Sequence, residues 1–173
     1  MSGWIVRSER SGDEAAIRRV TAAAFAGNPH SDGSEPAIVD ALRANGDLAL
    51  SLVAESKAQI VGHIAFSPAE LSNGEPGWYA LGPISVLPEA QGKGVGRALI
   101  EAGLGHWRAA GARGLVVVGD PAFYARFGFV SRTPLRVEGP LAPWFLVQAF
   151  GEDIPDASAS FAPAFDGGAG EGR

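Results

Sequence analysis

Hydrophobic residues recur at two different periods along this chain, and the two periods predict a mixture of strands and helices. Short apolar runs, partly β-branched and bounded by loop residues, are typical of buried strands. They lie at residues 4–8, 48–54, 60–66, 79–86 and 115–118. Further strands are expected near residues 130–137 and 145–148, with a last one within 157–165.

Helical spacing of apolar residues separates these runs. Asp13 is expected to cap a helix that ends near residue 25, and Ser34 a helix that ends before residue 45. A third helix is predicted after residue 94, where Arg97 and Glu101 are four residues apart on its polar side. A short fourth helix is expected at residues 121–127.

The junction between the strand at residues 79–86 and the third helix carries the strongest signal of chemistry. Gly92, Gly94 and Gly96 allow positive φ angles and close approach to the backbone. The first N–H groups of a helix lack partners and carry partial positive charge, so such a turn can hold a phosphate. Lys93 and Arg97 add cations, although a turn that only connects strand to helix remains the alternative.

Two common phosphate loops do not fit this turn. A Walker A loop requires Ser or Thr after Gly-Lys, whereas Gly94 follows Gly92-Lys93. A dinucleotide fingerprint requires Gly-x-Gly-x-x-Gly, and here position 97 is Arg. The spacing therefore argues against a nucleotide-binding protein.

Two blocks of sequence resemble the GCN5-related N-acetyltransferases (GNAT). Gln91-Gly92-Lys93-Gly94-Val95-Gly96 resembles the acetyl-coenzyme A pyrophosphate loop of that family. The block at residues 119–129, with Tyr124 and Gly128-Phe129, resembles a second family segment at the expected separation. Gly-Asp-Pro at 119–121 and Leu-Gly-Pro at 81–83 are most similar to the bacterial YhbS-like branch.

The resemblance implies a mixed, mostly antiparallel α/β sheet of about seven strands with about four helices. Its fourth and fifth strands would part into a V that admits the pantetheine arm. Pro83 agrees with this, since a proline inside a strand removes a ladder hydrogen bond and predicts a bulge or splay. The implied cofactor positions are Ile84, Ser85, Val86, Gln91, Gly92, Lys93, Gly94, Val95, Gly96, Arg97 and Tyr124.

The implied reaction is direct attack of a primary amine on the acetyl thioester. It needs an oxyanion donor, a base for the amine proton and an acid for the leaving thiolate. The candidates are the Val86 N–H for the oxyanion, Tyr124 as acid and Glu35 as base. His30 is an alternative base. Glu35 and His30 are also explained as a helix-terminal carboxylate and a surface histidine.

Other polar and aromatic residues favour structural interpretations. His63 is expected to be a packed, hydrogen-bonded core residue, and His106 receives no role. Trp78 and Trp144 flank strands, where large aromatics usually pack, although both could line an acceptor pocket.

Composition limits the function classes. The 173 residues suggest one domain over 1–165, followed by a glycine-rich tail at 166–173 that is expected to be disordered. A net charge of −5 without a basic stripe argues against nucleic acid and mildly favours a cationic acceptor. The absence of cysteine excludes thiolate metal sites and a cysteine acetyl-enzyme. No run is long enough to span a membrane, so a cytoplasmic monomer or homodimer is expected.

The expected function is therefore acetyl transfer from acetyl-coenzyme A to a primary amine. A non-catalytic acyl-coenzyme A sensor is the main alternative. It would keep the phosphate turn but lack a productive acceptor site.

Overall fold

Nine strands and four α-helices make up residues 3–166, the part of the chain that the computed structural model describes. The strands are β1 (Ile5–Ser8), β2 (Leu50–Ser56), β3 (Gln59–Pro68), β4 (Glu70–Leu71), β5 (Trp78–Val86), β6 (Gly114–Val118), β7 (Leu135–Arg136), β8 (Phe145–Ala149) and β9 (Ala157–Ser160). The helices are α1 (Glu14–Phe25), α2 (Glu35–Ala44), α3 (Val95–Ala109) and α4 (Pro121–Ala125). None of the described helices is long and apolar enough to cross a membrane.

Six strands form the main sheet, in the order β1-β2-β3-β5-β6-β8. Every neighbouring pair is antiparallel except β5 and β6, which are parallel. A second sheet has the order β4-β9-β7. The predicted mixed, mostly antiparallel sheet is confirmed.

Two predicted strands near the C-terminal end are shorter than expected. Within 130–137, Val130 makes one isolated bridge to β8, and only β7 is a true strand. Arg132 between them has φ +58°, a left-handed conformation that ends an extended run. The last predicted strand ends at Ser160, because Pro163–Asp166 forms a 3-10 helix. The predicted tail thus begins with an ordered Asp166, and residues 167–173 lie outside the described part.

The opening between β5 and β6 determines where a ligand can enter the sheet. The two strands pair only at Trp78↔Gly114, Tyr79↔Leu115 and Ala80↔Val116. Beyond these pairs the strands part. On its other side β5 is bulged, since Phe66 of β3 faces Leu81 while Ile64 faces Ile84. The bulge and splay predicted from Pro83 are therefore both present.

The helices cover the two faces of the main sheet. On one face α3 packs so closely on β3 that a Cβ added at Gly103 would overlap the Phe66 ring. On the other face, α1 and α2 bury Ile17, Val20 and Val39 against Val53 of β2. These contacts fix the N-terminus of α3 beside the end of β5.

The first two helices begin at the predicted residues, but their predicted caps are not made. Asp13 and Ser34 occupy the N-cap positions without a side-chain cap hydrogen bond. The Asp13 carboxylate instead accepts from Arg7 at 2.8 Å and from the Arg10 N–H at 2.7 Å. The hydrogen bond from Arg7 lowers the pKa of Asp13. Both N-cap backbones are helical (φ near −80°, ψ near −10°), whereas a capping residue is typically extended.

His63 is fully buried and begins a row of hydrogen-bonded side chains that continues through Ser51 to Glu9 and Arg43. Its Nε2 lies 2.8 Å from Ser51 Oγ, and Ser51 donates to Glu9 Oε1 at 2.6 Å. Because the single Ser51 proton is directed at Glu9, His63 Nε2 carries the proton of the neutral ring. Arg43 completes the row by donating to Glu9 at 2.8 Å. The predicted structural role of His63 is therefore confirmed.

Burial lowers the pKa of His63 to about 4 from its ordinary value of 6.5; the charge of Glu9 opposes this lowering, and the smaller effect of Arg43 adds to it. Because the folded pKa is the lower one, protons bind preferentially to the unfolded chain as the pH falls below 6.5. The contribution of neutral His63 to the free energy of unfolding is thus fully present above pH 6.5 and is lost as the pH falls toward 4.

We expect the free energy of unfolding to fall by about 2 kcal/mol more in the wild-type protein than in His63→Gln between pH 7 and pH 5. Glutamine keeps a donor for Ser51 but does not titrate. Urea unfolding at both pH values measures the difference. His106→Gln, which removes an exposed histidine on α3, is the control and should behave as wild type. Equal losses in wild type and His63→Gln would contradict the assignment.

Candidate active site

A cavity of about 490 Å³ lies where β5 and β6 part. Its floor comes from the bulged segment of β5, residues 80–83, and from Val118 at the end of β6. Its walls come from separate parts of the chain and are both aromatic and acidic: Phe25, Phe161 and Phe165, and Glu35, Glu138 and Asp166. The cavity therefore has direct access to the strand opening.

The backbone of β5 presents alternate residues to this opening. Leu87 N–H donates to Val61 O at 2.9 Å, so Leu87 and Val61 form a hydrogen-bonded pair. Two residues further along each strand, Ser85 is paired with His63. Bonded and non-bonded pairs alternate in an antiparallel ladder, so Ser85 directs its peptide groups at β3. Ile84 and Val86 direct theirs away from β3, toward the side where β6 has parted.

This register divides the three β5 residues that the sequence predicted as a pantetheine-binding edge. Ile84 and Val86 have backbone groups at the opening. Ser85 has its backbone in the ladder and its side-chain oxygen buried without a hydrogen-bond partner. A backbone contact from Ser85 would require the ladder to open, so Ile84 and Val86 are the better placed of the three.

Gln91, a predicted phosphate-loop residue, holds the end of β5. Its Nε2 donates to Val86 O at 3.0 Å. Since the Val86 carbonyl is thereby satisfied, its N–H is the group that faces the opening without a β3 partner. The arrangement is suitable for an oxyanion donor.

The glycine turn leads directly into α3. Gly92 and Gly94 have φ angles of +77° and +92°, which side chains rarely adopt. Gly94 is the N-cap of α3, and its carbonyl accepts from Ala98 N–H at 3.0 Å. A Cβ added at Gly96 would lie 3.8 Å from the Val86 side chain. The first turn of α3 therefore lies beside Val86 at the end of β5.

The two cations predicted to assist the turn have different surroundings. Lys93 is exposed and borders a second cavity of about 750 Å³ together with Trp4 and Glu89. Arg97 makes the predicted helical pair with Glu101, at 3.6 Å, and its side chain is 62% exposed. Trp4, whose ring lies 3.8 Å from a Cβ added at Gly94, is a neighbour of the turn that the sequence did not indicate.

Tyr124, the predicted acid, lies at the end of the opening on the α3 side of the sheet. Asp120 caps α4 by accepting from Ala122 N–H at 3.0 Å, which fixes the helix that carries Tyr124. The Tyr124 ring is 8% exposed and contacts the rings of Phe123 and Phe129. Burial raises the pKa of Tyr124 to about 12, so its hydroxyl stays protonated. Tyr124 does not line the 490 Å³ cavity.

Glu35, the predicted base, does line the cavity. It begins α2 and is only 6% exposed, and Ser31 Oγ donates to its Oε1 at 2.6 Å. His30, the alternative, is exposed in the preceding loop. The structure thus brings Glu35 to the cavity from one face and Tyr124 to the opening from the other.

The two tryptophans considered for an acceptor pocket are not part of this cavity. Trp78 is 2% exposed and donates from Nε1 to Glu75 at 2.8 Å, and Trp144 is 52% exposed. The sequence missed the actual aromatic walls and the acidic residues Glu138 and Asp166. No local motif marks them, because they come together only through folding.

Comparison with known proteins reveals extensive similarity. A family model described as an acetyltransferase (GNAT) domain matches residues 47–131. The uncharacterized N-acetyltransferase YhbS of Escherichia coli K12 is 37% identical over 97 residues, 56% of this chain. That match spans 58% of YhbS, less than two thirds of its length.

Two solved structures match over nearly their full length. A GNAT family acetyltransferase from Brucella melitensis, in complex with acetyl-CoA, is 48% identical with a TM-score of 0.85. The match covers 94% of this chain and 98% of that protein. E. coli YhbS in complex with CoA is 28% identical with a TM-score of 0.87, over 96% of this chain and 93% of YhbS.

The Tyr124 ring occupies space that a side chain at residue 119 would need, and Gly119→Ala tests this contact. An added Cβ would lie 2.5 Å from Tyr124 Cε2, so the ring must move or the protein must absorb the overlap. We expect a loss of about 1–3 kcal/mol in the free energy of unfolding, measured with urea.

Gly105→Ala is the matched control. Gly105 is an exposed residue of α3 with no atom within 4 Å of the added Cβ, so the helix should gain about 1 kcal/mol. Unchanged stability of Gly119→Ala would show that the ring is not held as described.

Proposed function

The chain belongs to the GNAT family of acetyltransferases, and from this premise we propose that it transfers the acetyl group of acetyl-coenzyme A to a primary amine. The observation that carries the proposal is that the glycine turn at the N-terminus of α3 lies beside Val86, where β5 parts from β6. This arrangement would place an anion-binding turn next to an oxyanion donor at the strand opening.

Binding of acetyl-coenzyme A would use the turn and the opening together. The pyrophosphate would accept from the N–H groups at residues 92–96, where the helix dipole favours negative charge. Lys93 and Arg97 would supply mobile cations. The pantetheine amides would pair with the backbone of Ile84 as an added strand does, which leaves the Val86 N–H for the thioester oxygen. The thioester would then lie where β5 and β6 part.

The proposed chemistry is a direct attack by a neutral amine. The amine nitrogen bonds to the thioester carbon, and the Val86 N–H stabilises the resulting oxyanion. Glu35, directly or through water, takes the proton that the nitrogen must lose. The intermediate collapses by breaking the carbon–sulfur bond, which releases the amide and the coenzyme A thiolate.

Tyr124 would serve the leaving group. A phenol with a pKa of about 12 is protonated throughout the physiological range and is always available as a donor. A thiol has a pKa of about 8.5, so full transfer from Tyr124 is uphill, and a strong hydrogen bond to the thiolate is its main contribution.

Calorimetric titration with acetyl-coenzyme A tests the binding site. We expect wild type to bind and Gly94→Trp to lose binding, because the bulky ring would fill the turn at a residue with φ +92°. Gly105→Trp is the control, since it places the same side chain on the exposed side of α3 and should bind normally. Equal binding to all three proteins would exclude this turn as the cofactor site.

Tyr124→Phe tests the acid. We expect kcat to fall by about 10²-fold or more with acetyl-coenzyme A affinity unchanged, because only the donor to the thiolate is removed. Tyr79→Phe removes the hydroxyl of the other tyrosine in the sequence, which stacks on Trp107 within the core, and should retain activity.

The pH profile adds a second readout. Because the pKa of Tyr124 is near 12, wild-type kcat should show no decline from loss of the Tyr124 proton below about pH 11. Full activity of Tyr124→Phe would rule out the acid role. Intact cofactor binding without acetylation of any amine would favour the sensor alternative.

A further inference from the structure

We propose that the acceptor is an amine with a second positive charge on an apolar chain, and that Glu138 and Asp166 select it by holding the charged end that does not react. The inference rests on the proposed function, because it assumes that the other end is acetylated at the strand opening. It assigns the 490 Å³ cavity to a dicationic substrate such as an aliphatic diamine.

The first support is uncompensated negative charge in the cavity. Glu35, Glu138 and Asp166 all line it, and the lining side chains within residues 3–166 include no lysine, arginine or histidine. Glu35 is only 6% exposed, and the donor to its Oε1 is the neutral hydroxyl of Ser31. Burial of a carboxylate without a cation is costly. A cationic ligand would supply what the protein leaves out.

Several carboxylates elsewhere in residues 3–166 are paired with arginine. Arg7 pairs with Asp13 and Glu55, and Arg43 pairs with Glu9. Further ion pairs within residues 3–166 are Arg18–Asp40, Arg113–Glu75 and Arg136–Asp156. The three cavity carboxylates take part in none of these ion pairs. The cavity thus holds three carboxylates without the arginine partners that these others have.

The second support is the apolar part of the wall. Phe25, Phe161 and Phe165 line the cavity with Leu141. Aromatic faces attract ammonium groups and also pack well on methylene chains. This lining suits an unbranched carbon chain between two amines better than a sugar or a strongly hydrated anion.

The third support is position. The floor at residues 80–83 and Val118 is the strand opening, so an amine there can reach the thioester. Glu138 follows β7 and Asp166 ends the last 3-10 helix. Both lie outside residues 47–131, the segment that the family model matches. They are therefore separate in sequence from the glycine turn and the β5 edge at residues 84–97, so substituting them can change acceptor choice without touching the turn.

Calorimetry on the protein loaded with coenzyme A tests the inference without turnover. The probes are 1,4-diaminobutane, butylamine and 4-aminobutanoate, which share a four-carbon chain and differ in the charge at the far end. We expect the diamine to bind about tenfold more tightly than butylamine, and 4-aminobutanoate more weakly than either. With acetyl-coenzyme A, kcat/KM should follow the same order.

Glu138→Gln should abolish most of the preference for the diamine and leave butylamine binding unchanged, and Asp166→Asn should do the same. Glu152→Gln is the matched control, because it removes one exposed charge that does not line the cavity and should leave the preference intact.

Equal affinity for diamine and butylamine overturns the inference. So does binding of none of the probes, or an equal effect of Glu152→Gln and Glu138→Gln. Titration of the same protein with acetyl-coenzyme A distinguishes a failure of the proposed function from a failure of this inference. Loss of coenzyme binding counts against the proposed function, whereas normal coenzyme binding without a diamine preference counts against this inference alone.

Discussion

The early end of pairing between β5 and β6 is the constraint on which the site depends. After three residue pairs the two strands separate, and the backbone of β5 beyond Ala80 loses its neighbour on that side. Unpaired backbone groups in a sheet interior are costly, so they must find other partners. Gln91 provides one for Val86 O, and the groups that remain define where a substrate backbone can add to the sheet.

The rest of the fold keeps this gap open. β3 holds the other edge of β5 through a bulged but continuous ladder. α3 packs closely on β3 where Gly103 contacts the Phe66 ring. The glycine turn is thus held beside the gap from two directions. A change at either contact would therefore move the glycine turn relative to the strand opening.

Sequence reasoning succeeded where the information is local and failed where it depends on register or long-range packing. The glycine turn, the Arg97–Glu101 pair and the bulge at Pro83 are written in consecutive residues, and each was predictable. The direction of the Ser85 backbone was not, because it depends on the ladder bonds between β3 and β5. The missing cap at Asp13 has the same origin, since Arg7 reaches its carboxylate only in the folded chain. Glu138 and Asp166 were invisible because folding alone brings them to the strand opening.

The cavity walls and the glycine turn come from different parts of the chain, so substitutions affect them separately. The glycine turn and the unpaired edge of β5 lie within residues 84–97, whereas the cavity walls come from α1, α2, the segment after β7 and the last 3-10 helix. A substitution or an insertion in those distant segments can reshape the wall without touching the turn. Proteins that share this turn can therefore differ in the cavity wall, and so in the acceptor that we propose the wall selects.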